Sequence, residues 1–292
     1  MMLPFVHRLR GIRRPSDPPG NNSGNGGGEL SQDDMKKSND DAYYPSCYDV
    51  LKVRYLLQHI WKWKRNSEEL FPVELVDMIV DAAEYWATSE SGLEGETIIR
   101  KDQDQALLTT VPLCYDVNTL DSDSPQMLPH RTVHPCRKII FSILAHDQGW
   151  GGGARNKGPY DGSYTWFDTQ IIHSAQKPPP CSEEATQGVQ HVHFESGNPL
   201  LLPSPHKLQS NRTADKNPQL HRITWHYLDD VPSESSEAED IENSTGRGRA
   251  TLDGSQVRSL EVGDAIQVWG RARFGGWINH VQRVSVRVFW AV

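Results

Sequence analysis

From residue 134 to the C-terminus the apolar residues recur with a period of two, and few folds accept that pattern. Residues 265–274 alternate, with Ile266, Val268, Ala272 and Phe274 on one face. Residues 281–292 alternate again, with Val284, Val286 and Val288 together. Gly275, Gly276 and Asn279 lie between the runs, so the two are expected to pair as a hairpin. Residues 136–145 are apolar on both faces, as a central strand is. Residues 164–172 are aromatic and β-branched, and residues 220–228 place Ile223, Trp225 and Tyr227 on one side. Short strands are also expected at 97–100 and 106–111. No helical pattern separates these strands. That order argues for an antiparallel β-sandwich rather than a parallel sheet. A galactose-binding-like or jelly-roll topology is compatible with it.

The period changes upstream. Within 48–64, Val53, Leu56, Leu57, Ile60 and Trp61 fall on one helical stripe. Pro72 and Glu74 suit a helix start, and Leu75, Val76, Ile79, Val80 and Ala83 form a second stripe. Residues 43–90 therefore read as a small helical hairpin, too short to be stable unless it packs on the sandwich. The fold class is α+β, with the sandwich over 91–292. Residues 1–42, rich in Gly, Pro and Asn, are expected to be a disordered tail. Two loops interrupt the sandwich. One is at 176–190, around three consecutive prolines. The other, at 229–246, is an acidic, serine-rich insert expected to be disordered.

Composition narrows the class. Hydrophobic residues make up 36% of the 292 residues, and no apolar run approaches the roughly 18 needed to span a bilayer, so no membrane partner is expected. Thirty basic against thirty-eight acidic residues give −8, which speaks against a nucleic-acid partner. Cys47, Cys114, Cys136 and Cys181 are far apart with no Cys-x-x-Cys pair. The N-terminus lacks the apolar segment of an export signal, so reduced thiols and a cytoplasmic or nuclear location are expected.

Motifs for chemistry are sparse. The chain has no Gly-x-Ser-x-Gly elbow, phosphate-cradling loop or dinucleotide fingerprint, so no catalytic residue and no cofactor is assigned. His191, His193 and Glu195 alternate with metal-capable spacing, but no third histidine is identifiable. No metal is expected, and a metal-dependent enzyme using the His191/His193 segment stands as an alternative. Aromatics gather near glycine-rich turns instead. Trp150, Tyr160, Tyr164, Trp166 and Trp277, with Asp147 beside them, are the candidate platform for a glycan or protein ligand.

Strand parity also sorts the charges. Arg271 and Arg273 oppose the apolar face of their run, and Arg283 and Arg287 oppose the valines. As a hairpin, all four would share one outward basic face. The insert at 229–242 carries seven acids and no Lys or Arg, and is expected to fold over that face as a counter-charge.

Four segments carry a resemblance: FPVELVDMIVDAAEYW at 71–86, HDQGWG at 146–151, YTWFD at 164–168 and VWGRARFGGWINHV at 268–281. Together they resemble a filamentous-fungal protein family, which implies no settled activity. The first segment, within 70–86, is also similar to the opening of an F-box. That likeness implies that Pro72, Leu75, Val76 and Ile79 contact a Skp1-like adaptor of a ubiquitin ligase; the second half of the F-box pattern is not present. The expected function is non-catalytic recognition of a protein or glycan by the sandwich, coupled to that adaptor. The alternative within the same class is a stand-alone carbohydrate-binding module.

Overall fold

The computed structural model describes residues 43–65, 68–151, 158–175, 190–191 and 206–292. The expected tail at 1–42 and all but the last residue of the loop at 176–190 lie outside the described residues.

Three helices lead. Helix α1, Cys47–Gln58, begins at a reciprocal cap: Asp49 N–H donates to Ser46 Oγ at 3.2 Å, and Ser46 N–H donates to the Asp49 carboxylate at 2.9 Å. Helix α2, Ile60–Arg65, follows, and α3, Val73–Ala82, starts behind Pro72, whose ring presets the turn. The helical region is shorter than expected. It ends at Ala82, and Ala87–Arg100 is already strand β1. The expectation of helix over 43–90 is corrected at its C-terminal end. Strand β1 contains so little apolar sequence because it is a sheet edge, with only Ala87 and Ile99 fully buried.

The remaining strands are β2 (Gln103–Thr109), β3 (Cys136–His146), β4 (Thr165–Ile172), β5 (Gln190–His191), β6 (Lys207–Ser210), β7 (Gln219–His226), β8 (Ala265–Ala272) and β9 (Ile278–Trp290). They form two antiparallel sheets, one of four strands in the order β1-β9-β3-β7 and one of five in the order β5-β2-β8-β4-β6. The core lies between them, built from Ile139, Phe141, Ile143, Val284 and Val286 of the first sheet and Leu107, Phe167, Val268 and Ala272 of the second. Phe141 and Trp225 meet edge to face at 4.7 Å between centroids. Val50 of α1 and Val76 and Val80 of α3 join this core, so the hairpin is fastened to the sandwich.

The C-terminal hairpin is a second correction. Strands β8 and β9 lie where the alternation puts them, but they do not pair. Strand β8 sits between β2 and β4, and β9 sits between β1 and β3 in the other sheet. The turn at 274–277 therefore crosses from one sheet to the other. Both runs have one fully apolar face, and facing those two faces across the core buries both.

The acidic insert is a third correction. Residues Ser236–Thr245 form helix α4, capped by Ser235, whose Oγ accepts from Ala238 N–H at 3.1 Å. Glu237 and Glu239 lie in its first turn, where the helix dipole favours carboxylates. After it, the chain runs beside β6, with Ser210 N–H donating to Gly246 O at 2.9 Å and Gly248 N–H to Leu208 O at 3.1 Å. A short helix α5, Ser255–Ser259, leads into β8.

Candidate functional site

Three connections meet at one rim of the sandwich: the turn after β3 (147–151), the segment leading into β4 (158–164) and the crossover between β8 and β9 (274–277). Gln148 ties two of them together, its Oε1 accepting from Ile278 N–H at 3.0 Å. The aromatics then interlock. Tyr164 meets Phe274 edge to face at 4.5 Å and Trp277 at 5.2 Å. Gly276 sits at φ +91°, and a side chain there would stand 2.7 Å from the Trp150 indole. The backbone is bare at that point so that Trp150 can lie across it. Trp150 is 63% exposed and Phe274 40%, so the cluster presents ring surface to solvent.

The sequence candidates separate into those that face the rim and those that build it. Trp150, Tyr164 and Trp277 are brought together. Asp147 is fully buried and is no ligand contact, which corrects that assignment. Its carboxylate accepts from Gly149 N–H at 2.8 Å and Ala214 N–H at 2.6 Å, clamping the turn to the segment before β7. Burial pushes that carboxyl above its ordinary value, against the pull of these N–H groups. Trp166 is also corrected. It is 1% exposed and donates from Nε1 to Asp168 at 2.9 Å, with the Arg273 guanidinium 5.2 Å from its ring. Phe274 was missed, because alternation assigns it to the buried face. Its φ of +66° breaks the strand and turns it outward.

Tyr160 faces a second feature. A cavity of about 290 Å³ opens beside Tyr164, with Tyr160, Ser163, Ser210, Asn243 and Gly246 in its lining. Gly246, at φ +74°, leaves room for the Tyr160 ring; any side chain there would collide with it. Lys207 and Glu242 also line the cavity and form an ion pair. Arg249 Nε donates to the second Glu242 oxygen at 2.6 Å. Burial would push the Glu242 carboxyl up, but the hydrogen bonds and charges of Lys207 and Arg249 outweigh it and hold the group below its ordinary value. Behind Tyr160, at 6.4 Å between centroids, His221 is 7% exposed. Burial, reinforced by the Arg212 charge, pushes its pKa down to about 4, so it is neutral.

The shared basic face does not form. Arg271 and Arg273 belong to the five-stranded sheet, Arg283 and Arg287 to the four-stranded one. Arg273 is fully buried on Asp104. Arg271 bridges Asp104 at 2.6 Å and Asp168 at 2.9 Å. Arg287 pairs with Glu90, and Arg283 lies opposite Glu94 in the ladder. Two acids of the insert are used locally, Glu242 as above and Asp229 by Arg247 at 3.8 Å. The expectation of a counter-charge folding over a basic sheet face is overturned, because hairpin pairing was its premise.

Of the expected adaptor contacts, Val76 is fully buried and packs in the core, so it is not available. Pro72, Leu75 and Ile79 are exposed, and Met78 between them is 66% exposed. Leu75, Met78, Ile79 and Ala82 form one outward stripe of α3 at helical spacing. An aromatic row lies nearby: Tyr55 of α1, His59 at its C-cap and Trp63 of α2, with ring centroids 4.1 and 6.1 Å apart.

His193 and Glu195 lie outside the described residues, as does the side chain of His191, whose backbone pairs with Gln103. Among the described residues no three His, Cys, Asp or Glu side chains gather as a metal site would require. No described helix is long and apolar enough to cross a membrane.

No family model matches the chain, and no curated protein matches it. A solved structure of maize chlorotic mottle virus aligns over 70% of this chain and 92% of its own, with 12% identity and a TM-score of 0.17. A likeness that low carries no argument.

Proposed function

We propose that this chain is a non-catalytic recognition protein whose sandwich rim binds a protein or glycan ligand. The observation that carries the reading is the rim cluster of Trp150, Tyr164, Phe274 and Trp277. Rings held by interlocked turns offer apolar area at little cost in conformational entropy, which suits recognition. The exposed stripe of α3 favours a second role for the hairpin, docking a ubiquitin-ligase adaptor through Leu75, Met78 and Ile79. Large exposed apolar side chains clustered on one helix face are a usual mark of a docking surface. A cytoplasmic or nuclear location accords with such a role.

Affinity capture from a lysate, with wild type, Trp150→Ala and a Leu75→Lys/Ile79→Lys double variant, tests both parts. Loss of one set of partners with Trp150→Ala and of a different, adaptor-containing set with the double variant is the expected result. Identical captures from all three proteins would overturn the reading.

A further inference from the structure

The cavity beside Tyr164 has a chemistry that selects its ligand. Its volume of about 290 Å³ is at the small end of the range for small-molecule sites, roughly 300–1,000 Å³. Two walls are aromatic, Tyr160 and Tyr164, and Tyr164 also belongs to the rim cluster. The remaining lining mixes donors and acceptors, with hydroxyls from Ser163 and Ser210, an amide from Asn243, the Asp161 carboxylate and the Lys207–Glu242 ion pair.

Charge decides between ligand classes. The Glu242 carboxylate is already answered twice, by Lys207 and by Arg249, Lys207 is answered by Glu242, and Asp161 in the lining has an interaction partner of its own. An ionic ligand would have to break one of these half-buried pairs to gain another, with little net profit. A wholly apolar ligand would leave the polar groups without partners. A neutral polyol satisfies both constraints, with C–H faces against the tyrosine rings and hydroxyls exchanging bonds with the amide, the hydroxyls and the ion pair. Asn243 also lines a wider open groove of about 830 Å³, together with Gly158, Pro159 and α4, so a chain attached to the bound unit has a way out.

We infer that this cavity binds one neutral sugar unit, the terminal residue of a glycan, with Tyr160 and Tyr164 as its walls. The inference rests on the rim being a recognition surface and assigns the class of its ligand.

The test uses the full chain with D-glucose, D-galactose, D-mannose and N-acetyl-D-glucosamine, and with gluconate and D-glucosamine as charged comparators. Saturation-transfer NMR and calorimetry read binding. At least one neutral sugar is expected to bind saturably with Kd near 1 mM, about 4 kcal/mol. Both charged comparators are expected to bind at least fivefold more weakly. Tyr160→Ala and Asn243→Ala should each weaken the sugar about tenfold. Asn243→Ala is informative if Tyr160→Ala fails to fold. Glu94→Gln, exposed on β1 and outside the cavity lining, should change monosaccharide affinity less than twofold. No saturable binding by any neutral sugar, or binding unmoved by Asn243→Ala, overturns the inference. If sugars fail while Trp150→Ala still abolishes lysate capture, the inference falls and the recognition reading stands.

Discussion

Arg273 and Asp104 form a two-pronged ion pair inside the protein: Nη2 donates to Oδ2 at 2.7 Å, Nη1 pairs with the other oxygen, and Arg273 has no solvent exposure. The pair joins the end of β8 to the start of β2. Arg271 shares the same carboxylate and adds Asp168 of β4, so three neighbouring strands are pinned in register.

Removing the carboxylate should therefore be severe. Asp104→Ala leaves a buried guanidinium without its counter-charge and is expected to cost about 3–5 kcal/mol. Arg283→Gln, on a half-buried and less demanding site, should cost no more than about 1 kcal/mol. Urea unfolding curves of the two variants check the contrast.

Stability should also fall on mild acidification. Folded His221 has a pKa of about 4 against an ordinary 6.5, so the unfolded chain takes up the proton first. Its contribution is intact above pH 6.5 and is lost progressively as pH falls to about 4. Melting temperatures measured across that window should decline less steeply in His221→Phe than in wild type.

The two faces of α3 should respond in opposite ways to substitution. Val76→Ala removes a fully buried core group and is expected to cost about 1–3 kcal/mol. Leu75→Lys and Ile79→Lys alter an exposed stripe, and each should stay within about 0.5 kcal/mol of wild type. Denaturant unfolding measures both.

At the rim, Gly276→Ala puts a methyl against the Trp150 ring at a backbone angle that side chains rarely adopt. A loss of about 1–3 kcal/mol is expected, with a shift in tryptophan emission as Trp150 is displaced. Unchanged emission would show that the ring does not lie across the turn.

The acidic helix is held by its ion pairs. Glu242→Gln should weaken the hold of Lys207 and Arg249 and expose α4 to limited proteolysis within 236–246. The same pairs make the carboxylate's contribution present above about pH 4.5, its ordinary value, and lost as pH falls below it.

Much of the fold was legible in periodicity. The alternation around Val284, Val286 and Val288 and the apolar run at 136–145 both mark strands with buried faces, because a strand must bury alternate residues to be stable in a sandwich. Strand β1 was hard to see, since an edge strand buries little and its sequence reads as polar. Helix α4 was hidden in the same way: its stability comes from a cap and from ion pairs to residues up to 35 positions away, not from an apolar stripe. The rim was legible in part, because glycine next to tryptophan signals a turn that holds a ring. Asp147 and Trp166 look the same in sequence as ligand contacts, and only their burial tells them apart.

Local pattern alone established which segments are strands and helices and which of their faces are apolar, since those follow from side-chain geometry along a few residues. Pairing was decided by the tertiary structure. Consecutive strands β8 and β9 could have shared a sheet or faced each other, and facing each other buried both apolar sides. That choice sent Arg273 inward to Asp104, put the 274–277 crossover on the rim and thereby placed Trp277 beside Tyr164. Partner choice depends on free energy summed over contacts remote in sequence, which no local window of residues contains.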